Sequence, residues 1–434
     1  MIIAHKNKLK PSPSQEIIMT NSKYTAKSET ERVFSVFETF KKDSEKTKAL
    51  SGEDPKTESQ PVLTMSCIGQ LGRFVTQLFQ YAFLRICAEK SGGRVECSPW
   101  IGQTLFGHND TPISKRLPPA IELKDMGDSL FEVIPQFIPY LEKLADAKSL
   151  RIGADSLNSG LVNVDIWGFF QIHTRYFKPH QQDFRSLFKP VNDLNSSLDN
   201  GLNILRSQGK TIIGLHIRQG DYIKEPRLGF TLVFPTQWYC ECLERIWDNL
   251  EDPVLFLCSN DLDSILGDFE KFSPVTSRDL DIKLPENMKD EDLDFYIDFF
   301  ILSNCDIVVT SNSTFSFVAC MLNEKAKMFL RPCWDFSLKF VEFDPWDSEP
   351  ILYIGGDQPK FFKSLPDIVY ITYMTQGIWQ LLKSIFLYLP KSGIKGLALQ
   401  VYLGYQVKGF VGIFQSLLYI LGRFLNYELP FKRY

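Results

Sequence analysis

The sequence lacks several features that mark whole classes of protein. Lys and Arg are not in excess, with 48 of them against 52 Asp and Glu, and no long basic run occurs, so no nucleic-acid surface is expected. There is no GxxxxGKS/T phosphate loop and no convincing GxGxxG motif, which argues against nucleotide triphosphate hydrolysis and dinucleotide redox chemistry. No uncharged apolar stretch approaches the ~20 residues of a membrane-spanning helix.

Cysteine is present, but without a pattern. The nine Cys are an odd number with no CxxC pair, and several stand singly in apolar stretches, such as Cys258 and Cys320. This distribution predicts buried, reduced thiols rather than a disulfide framework. The chain also has no hydrophobic secretory signal, because lysines follow Ile2 and Ile3 at once. Both observations favour a cytoplasmic protein.

The 434 residues divide into four predicted segments. Residues 1–60 are polar with few large apolar side chains, which predicts a disordered lead. Strands and helices alternate through residues 61–205 and again through 206–350, which predicts two α/β domains with parallel sheets. Residues 351–434 form an aromatic tail that is purely basic between Ile368 and Tyr427. Such a tail fits docking on a membrane surface or a helical cap across both domains, and both interpretations are open.

The hydrophobic pattern predicts where the main elements lie. In the first domain we expect a strand near residues 62–66, a glycine turn at 69–72 and a helix containing Phe74 to Ile86, then strand-like alternation over 161–170 and helices over 174–189 and 191–207. In the second domain we expect strands at 211–217, 254–258, 306–310 and 327–330, and helices at 236–249, 262–272, 291–304 and 314–322.

Polar residues follow three predicted strands of the second domain. In chain order they are His216, Arg218 and Asp221; Ser259, Asn260 and Asp261; and Ser313, Thr314, Phe315 and Ser316. Arg218 can bind a phosphate with two nitrogens, while Asp221 can orient it or act as a base. Hydroxyls and backbone N–H groups at the start of a helix bind anions. Each group alone also fits an ion pair or a helix cap, but together they predict a diphosphate site for a sugar nucleotide.

Three Asp-Leu-Asp triplets raise the question of a metal ion. They are Asp261–Asp263, Asp279–Asp281 and Asp292–Asp294, and such pairs of carboxylates can hold a divalent cation. Two of the triplets open predicted helices, where Asp stabilises the helix dipole, and the other lies in a polar loop. The spacing of His108, His173 and His180 is not that of metal ligands. We therefore predict no metal and no other cofactor.

Several motifs occur in a characteristic order along the chain. A glycine-rich turn at Gly69–Phe74 leads into Gln77–Phe83, and the later motifs are Trp167–Gln171, His216–Asp221, Cys258–Asp261, and Asp292-Leu293 through the Ser313–Ser316 turn. Together they resemble the GDP-fucose-dependent α-1,2-fucosyltransferases of glycosyltransferase family 11. The resemblance covers roughly residues 65–345 and neither tail.

The resemblance implies a GT-B-like architecture of two facing Rossmann-like domains, the second binding the donor and the first presenting the acceptor. It implies metal-independent, inverting transfer of L-fucose from GDP-β-L-fucose to a galactose-containing glycan, free or lipid-linked. By the same resemblance, Arg218 contacts the diphosphate, Ser313–Ser316 cradle it, and Asp221 or His216 supports the fucose. Two further donor-binding residues, Gly72 and Gln77, lie in the first domain. The enzyme would act in the cytoplasm, free or at the inner face of the membrane.

The chain departs from the family pattern at two places. Val75 and Thr76 stand where the family has Gly-Asn, so a close backbone approach and an amide are lost. Gln219 replaces a second Arg and removes one positive charge beside the diphosphate. These changes motivate a second hypothesis, a weakened member that binds sugar nucleotide or glycan without efficient turnover. A third is a different glycosyltransferase of the same architecture.

Overall fold

The computed structural model describes residues 60–122, 150–224, 233–288, 293–333 and 340–352. The chain forms two compact units. Of the described residues, unit 1 takes those up to Gln171 together with those within His180–Gly201 and Asp281–Phe300, and unit 2 takes those within Ile172–Pro179 and Leu202–Leu280 and those from Ile301 onward. A single division near residue 205 therefore does not describe the units, because the chain crosses between them more than once.

Unit 1 contains a sheet of five parallel strands in the order β2-β1-β5-β3-β4. The strands are β1 Val62–Met65, β2 Arg94–Cys97, β3 Pro119–Glu122, β4 Leu150–Ile152 and β5 Val164–Trp167. The helices are α1 Phe74–Ser91, α2 Ile101–Phe106, α3 Ser156–Ser159, α4 Gln181–Leu187 and α5 Asn192–Arg206, of which α5 ends in unit 2. The central strands β1 and β5 are buried at every position, as expected of parallel strands covered on both faces.

Unit 2 contains a second five-stranded sheet, in the order β10-β9-β8-β6-β7. The strands are β6 Thr211–Ile217, β7 Pro253–Ser259, β8 Ile307–Val309, β9 Met328–Pro332 and β10 Phe340–Glu342. The remaining helices are α6 Gly220–Lys224, α7 Thr236–Trp247, α8 Asp294–Leu302 and α9 Thr314–Leu322. Helix α8 begins in unit 1. Strands β6 to β9 are parallel, and β10 is an antiparallel edge strand. Two units with parallel-stranded sheets confirm the predicted α/β class and have the sheet composition of a GT-B-like fold.

Some predicted elements differ from the observed ones. The helix predicted over 174–189 is two 3-10 turns, Thr174–Tyr176 and Lys178–His180, followed by α4. Pro179 accounts for the break, because proline cannot donate the backbone hydrogen bond of a helix interior. The helix predicted over 262–272 is two 3-10 helices, Leu262–Ser264 and Leu266–Phe272, and the second contains Gly267, a poor helix former.

The strand predicted over 161–170 is only the four residues of β5. It does not alternate between buried and exposed positions, because both faces of this central parallel strand are covered. Its Asp165 is buried, and the carboxylate accepts hydrogen bonds from the Thr64 hydroxyl at 2.8 Å, from the Ser66 amide at 2.9 Å and from the Trp167 indole at 2.7 Å. These bonds compensate for removing the charge from water.

The predictions for the two tails lie outside the described residues. The disordered lead was predicted for residues 1–60, of which only residue 60 is described. The basic, aromatic tail was predicted for residues 351–434, of which only residues 351 and 352 are described, so the stretch Ile368–Tyr427 lies outside the described residues. Within the described ranges, no helix is both long and apolar enough to cross a membrane. All nine cysteines are described, all are buried and none forms a disulfide, which confirms that prediction.

Candidate active site at the strand ends of unit 2

The carboxyl ends of β6, β7 and β8 converge in unit 2. In the register of the sheet, Ile217 of β6 lies beside Ser259 of β7. Two hydrogen bonds join the loops that follow: the Arg218 amide donates to the Ser311 hydroxyl at 3.0 Å, and the Gln219 amide donates to the Asn260 side-chain oxygen at 3.0 Å. The structure therefore brings together the three groups of polar residues that follow these strands.

Arg218 is held in place by an ion pair. Its Nη2 lies 2.6 Å from Oδ2 of Asp221, and its guanidinium lies 5.6 Å from the centre of the Tyr222 ring. The other oxygen of Asp221 accepts from Nδ2 of Asn260 at 2.9 Å. Both carboxylate oxygens already accept hydrogen bonds. The geometry therefore favours a role for Asp221 in orienting Arg218 rather than a role as a base.

His216 is buried beside two serine hydroxyls. Its Nδ1 lies 3.1 Å from Oγ of Ser316 and 3.2 Å from Oγ of Ser311, and its ring centre is 5.0 Å from that of Phe315. Burial, together with the positive charge of Arg218, lowers the pKa of His216 to about 3. The imidazole is therefore neutral at physiological pH and is suited to position the two serines.

The segment from Ser311 to Ser316 forms the start of α9. Ser313 is the N-cap, and its hydroxyl accepts from the Phe315 amide at 3.3 Å. Ser311, Ser313 and Ser316 are buried, whereas Thr314 and Phe315 are partly exposed. The first turn of α9 thus leaves Thr314 and Phe315 partly exposed to solvent, while the buried serine hydroxyls form the hydrogen bonds around it.

The loop after β7 is tied to the loop after β6 by side chains. Gln219 Nε2 donates to the Ser264 hydroxyl at 2.8 Å, and the Asp261 amide donates to the Ser259 hydroxyl at 3.0 Å. A Cβ at Gly220 would lie 2.9 Å from Nδ2 of Asn260, so the two loops approach each other closely at this position. Gln219, which replaces a family Arg, therefore joins the two loops instead of carrying a charge.

Gly72 and Gln77, the two site residues predicted in the first domain, belong to unit 1. Gly72 has φ +78°, and a Cβ there would lie 2.5 Å from Thr76. Gln77 is buried, and its Oε1 has no hydrogen-bond partner within the described part of the chain.

The neighbouring motif residues in unit 1 make structural bonds. The Thr76 hydroxyl accepts from Nε2 of Gln171 at 2.8 Å, and Nε2 of Gln80 donates to the Gly168 carbonyl at 2.8 Å. These bonds fasten α1 to the loop that follows β5.

Two of the Asp-Leu-Asp triplets are described in full, and both contain an aspartate that is already engaged. Asp263 pairs with Arg278 at 2.5 Å, and Asp279 accepts from the amide and hydroxyl of Thr276 in a capping box. Of the third triplet only Leu293 and Asp294 are described, and Asp294 begins α8. Among the residues whose positions the structure gives, no three His, Cys, Asp or Glu side chains are placed to hold a metal ion.

Two residues of this region were not among the predicted site residues. Ser311 bonds to the Arg218 amide and lies beside His216, and Asn312, fully buried, bonds to the backbone of Leu352. The position of Ser311 shortly after strand β8 could have identified it from the sequence as a candidate site residue. The partner of Asn312 is 40 residues away, so no local pattern indicates that contact.

The part of the chain that contains these strand ends is similar to known proteins. The model of glycosyl transferase family 11 matches residues 163–335, a range that includes strands β6 to β9. The Alpha-1,2-colitosyltransferase of Escherichia coli is 26% identical to this chain over 187 residues, which are 42% of the chain and 60% of that relative. The chain thus spans less than two thirds of the length of this curated relative.

Two solved structures are similar at low sequence identity. The fucosyltransferase NodZ from Bradyrhizobium is 12% identical with a TM-score of 0.41, over 66% of this chain and 99% of that one. A mutant of Arabidopsis thaliana FUT1 in complex with GDP is 12% identical with a TM-score of 0.40, over 81% of this chain and 90% of that one.

Proposed function

Because the model of glycosyl transferase family 11 matches residues 163–335 of this chain, we propose that the protein is an inverting, metal-independent fucosyltransferase. It transfers L-fucose from GDP-β-L-fucose to a hydroxyl of a galactose-containing glycan, free or lipid-linked. The observation that carries this proposal is the convergence of Arg218, Asn260 and the Ser311–Ser316 segment at adjacent strand ends. In open α/β sheets, ligands bind outside the carboxyl ends of the strands.

Each residue of the candidate site has a different role in binding the donor. Arg218, oriented by Asp221, places its guanidinium against the diphosphate, where it stabilises the charge that develops on the leaving GDP. The first turn of α9 supplies backbone N–H groups to the same anion. Neutral His216 holds the buried serines in place. The attacking acceptor hydroxyl displaces GDP from the anomeric carbon, and an oxocarbenium-like path lessens the need for a strong base.

We propose an α-1,2 linkage, which the name of the Escherichia coli relative supports. That name also specifies colitosyl transfer, so colitose is the second donor sugar to be compared with fucose. A galactoside is the proposed acceptor class because of the family resemblance at Trp167–Gln171 and His216–Asp221. The basic, aromatic tail is proposed to dock on an anionic membrane surface, where a lipid-linked acceptor would be found.

A second candidate function is binding without efficient turnover. It is favoured by the environment of the two residues that replace Gly-Asn: Val75 is buried, and the buried Thr76 hydroxyl is used by Gln171. Neither side chain supplies the amide that the family pattern has there. Restoring Gly-Asn at these positions should raise turnover if they are the defect.

The deciding experiment incubates the full-length protein with GDP-fucose and a panel of β-galactosides. GDP release, product mass and product linkage are measured, with a colitosyl donor and UDP- and dTDP-sugars as further arms. We expect fucosylated product with GDP-fucose and no product with the UDP- or dTDP-sugars. Donor binding without product supports the second candidate, and a preference for another nucleotide contradicts the donor assignment.

Arg218→Ala tests the site itself. We expect kcat/KM to fall about 100-fold or more, because the guanidinium is proposed to stabilise charge on the leaving group. The matched control is Arg206→Ala, which removes an ion pair to Asp306 near the amino ends of β6 and β8 in the same sheet. The control should lower Tm while kcat/KM stays within about twofold of wild type. Equal kcat/KM in the two variants would contradict the proposed site.

A further inference from the structure

The side chain of Asn312 pairs with the backbone of Leu352 as a peptide group would. Its Nδ2 donates to the Leu352 carbonyl at 2.9 Å, and the Leu352 amide donates to its Oδ1 at 2.7 Å. Asn312 is 1% exposed. Only a side-chain amide offers a donor and an acceptor side by side at this reach, since a carboxylate lacks the donor and a hydroxyl has a single oxygen.

Leu352 lies in the segment of residues 344–352, which we call the strap. The strap is anchored at two further points in unit 2. The buried Arg331 donates to the Glu349 carbonyl at 2.9 Å, and Thr174 and Ser348 exchange backbone and hydroxyl hydrogen bonds of 2.9 to 3.0 Å. Arg331 itself lies against the rings of Phe317 and Phe343. The strap is therefore a fixed support for Asn312.

Asn312 stands between two residues that shape the candidate site. Ser311 accepts from the Arg218 amide and lies beside His216, while Ser313 caps α9. A residue whose side chain is fixed at both polar atoms also fixes its own backbone, and with it the backbone of its two neighbours. The contact with the strap therefore affects Arg218 through Ser311, and the start of α9 through Ser313.

We propose that Asn312 is a positioning residue that fixes the diphosphate-binding turn by clamping it to the strap. This inference rests on the proposed function, since it assumes that the turn binds the phosphates of the donor. Asn312 has both polar atoms engaged by the strap, so it acts on the ligand through Ser311, Ser313 and the first turn of α9. Loss of the clamp leaves the fold in place and loosens the anion site.

Asn323 provides a matched control at the other end of α9. It is 3% exposed, donates to the carbonyls of Cys305 and Leu302 at 2.9 and 3.3 Å, and accepts from the amides of Lys325 and Ala326 at 2.8 Å. Its burial and bonding are thus like those of Asn312, but it lies at the carboxyl end of the helix. A purely structural role for Asn312 predicts that the two asparagines behave alike.

The test measures binding of inorganic pyrophosphate and of GDP to the full-length protein by calorimetry, and Tm for each variant. We expect Asn312→Ala to weaken the binding of both ligands about tenfold. We expect Asn323→Ala to bind both within about twofold of wild type, although its Tm also falls.

Asn312→Asp is the second variant, for use if the alanine variant does not fold. Burial raises the pKa of a carboxyl group, and a protonated carboxyl again offers a donor and an acceptor to Leu352. The loss of pyrophosphate affinity relative to wild type should shrink from about tenfold at pH 8 to about twofold at pH 5.5. A purely structural role predicts no such recovery of affinity.

The outcomes separate this inference from the proposed function. Wild-type pyrophosphate affinity in Asn312→Ala, or equal losses in the Asn312 and Asn323 variants, would overturn it. Absence of pyrophosphate and GDP binding to the wild-type protein would also overturn it, since the turn would then not be an anion site. If pyrophosphate binding depends on Asn312 but no fucosyl transfer is observed, the result contradicts only the donor assignment. The positioning role of Asn312 is then still supported.

Discussion

The three residues proposed for chemistry at the end of β6 have different environments. His216 is buried beside hydroxyls, whereas Arg218 and Asp221 form an ion pair that remains partly exposed. An acid or base catalyst needs a pKa near the working pH, and His216 does not have one. The site is therefore built from one oriented cation, a neutral imidazole and the start of a helix, which suits the stabilisation of a departing diphosphate.

The low pKa of His216 makes a prediction about stability. Its pKa is about 3 in the folded protein and about 6.5 in the unfolded chain, so between these values only the unfolded chain carries the proton. Stability therefore falls as the pH drops below about 6.5, by up to about 1.4 kcal/mol per pH unit from this residue, and is unaffected by it above that pH.

The variant His216→Asn isolates this contribution because it cannot gain a proton. Its free energy of unfolding should lie below that of wild type at pH 7.5, owing to the lost packing, and the gap should narrow between pH 6.5 and pH 5. Urea unfolding of both proteins at each pH measures the gap. A gap that stays constant over this range would contradict the assignment of a buried, neutral histidine.

Elements with a strong local pattern could be predicted from the sequence. The charge-free, β-branched run of β6 and the capped apolar helix α9 have the predicted bounds, Thr211–Ile217 and Thr314–Leu322. They carry most of the candidate site, which is why its cation and its helix start were found. The strands β2, β3 and β4 were missed because each is short and also contains a charged residue, unlike the equally short but uncharged strands β1 and β8.

The remainder of the site depends on contacts that no local pattern contains. Asn312 meets Leu352 across 40 residues, and Gln80 meets the Gly168 carbonyl across 88. Gln80 lies in a motif that resembles the family's donor-binding sequence, yet its amide fastens α1 to the loop after β5. A motif identifies which residues matter, whereas the fold decides whether each side chain faces a ligand or the protein.

Helix α1 has a glycine in left-handed conformation near each end, and the two make a matched pair. Gly72 and Gly92 have φ of +78° and +62°, so a side chain costs roughly 1 kcal/mol at either position. A Cβ at Gly72 would also lie 2.5 Å from Thr76, whereas a Cβ at Gly92 would meet nothing within 4 Å. We expect Gly72→Ala to lose roughly 1–3 kcal/mol more stability than Gly92→Ala in urea unfolding. Equal losses would show that the contact with Thr76 relaxes without cost.

Within the described residues, the polar side chains at the strand ends make different contacts in the two units. In unit 1 the polar residues after β1 and β5 bond to other elements of the same unit: Ser66 bonds to Asp165 of β5, and Gln171 bonds to Thr76 of α1. In unit 2 the corresponding ends carry a partly exposed Arg218 and the start of α9. The net charge of -4 thus says little about where an anion binds, because a small number of oriented groups decide it.

The distribution of charge along the whole chain leads to a last prediction. Residues 368–427 contain no Asp or Glu but carry Lys383, Lys391, Lys395, Lys408 and Arg423 among many aromatic and aliphatic side chains. Interfacial helices bind anionic lipid through such cations and bury their apolar side chains in the membrane surface. Full-length protein should therefore float with phosphatidylserine vesicles, and a chain truncated before Ile368 should not.

Two controls separate docking from exposure of apolar surface. Replacing the five cations of residues 368–427 by Gln keeps the apolar residues of this stretch, and should reduce flotation with anionic vesicles by a large factor, since each cation near the surface contributes about 1 kcal/mol. Neutral phosphatidylcholine vesicles and 0.5 M salt should each weaken binding of the unaltered protein, because the attraction to anionic headgroups is screened. Equal flotation of the full-length and truncated chains would contradict docking and favour a tail that packs as a helical cap on the protein.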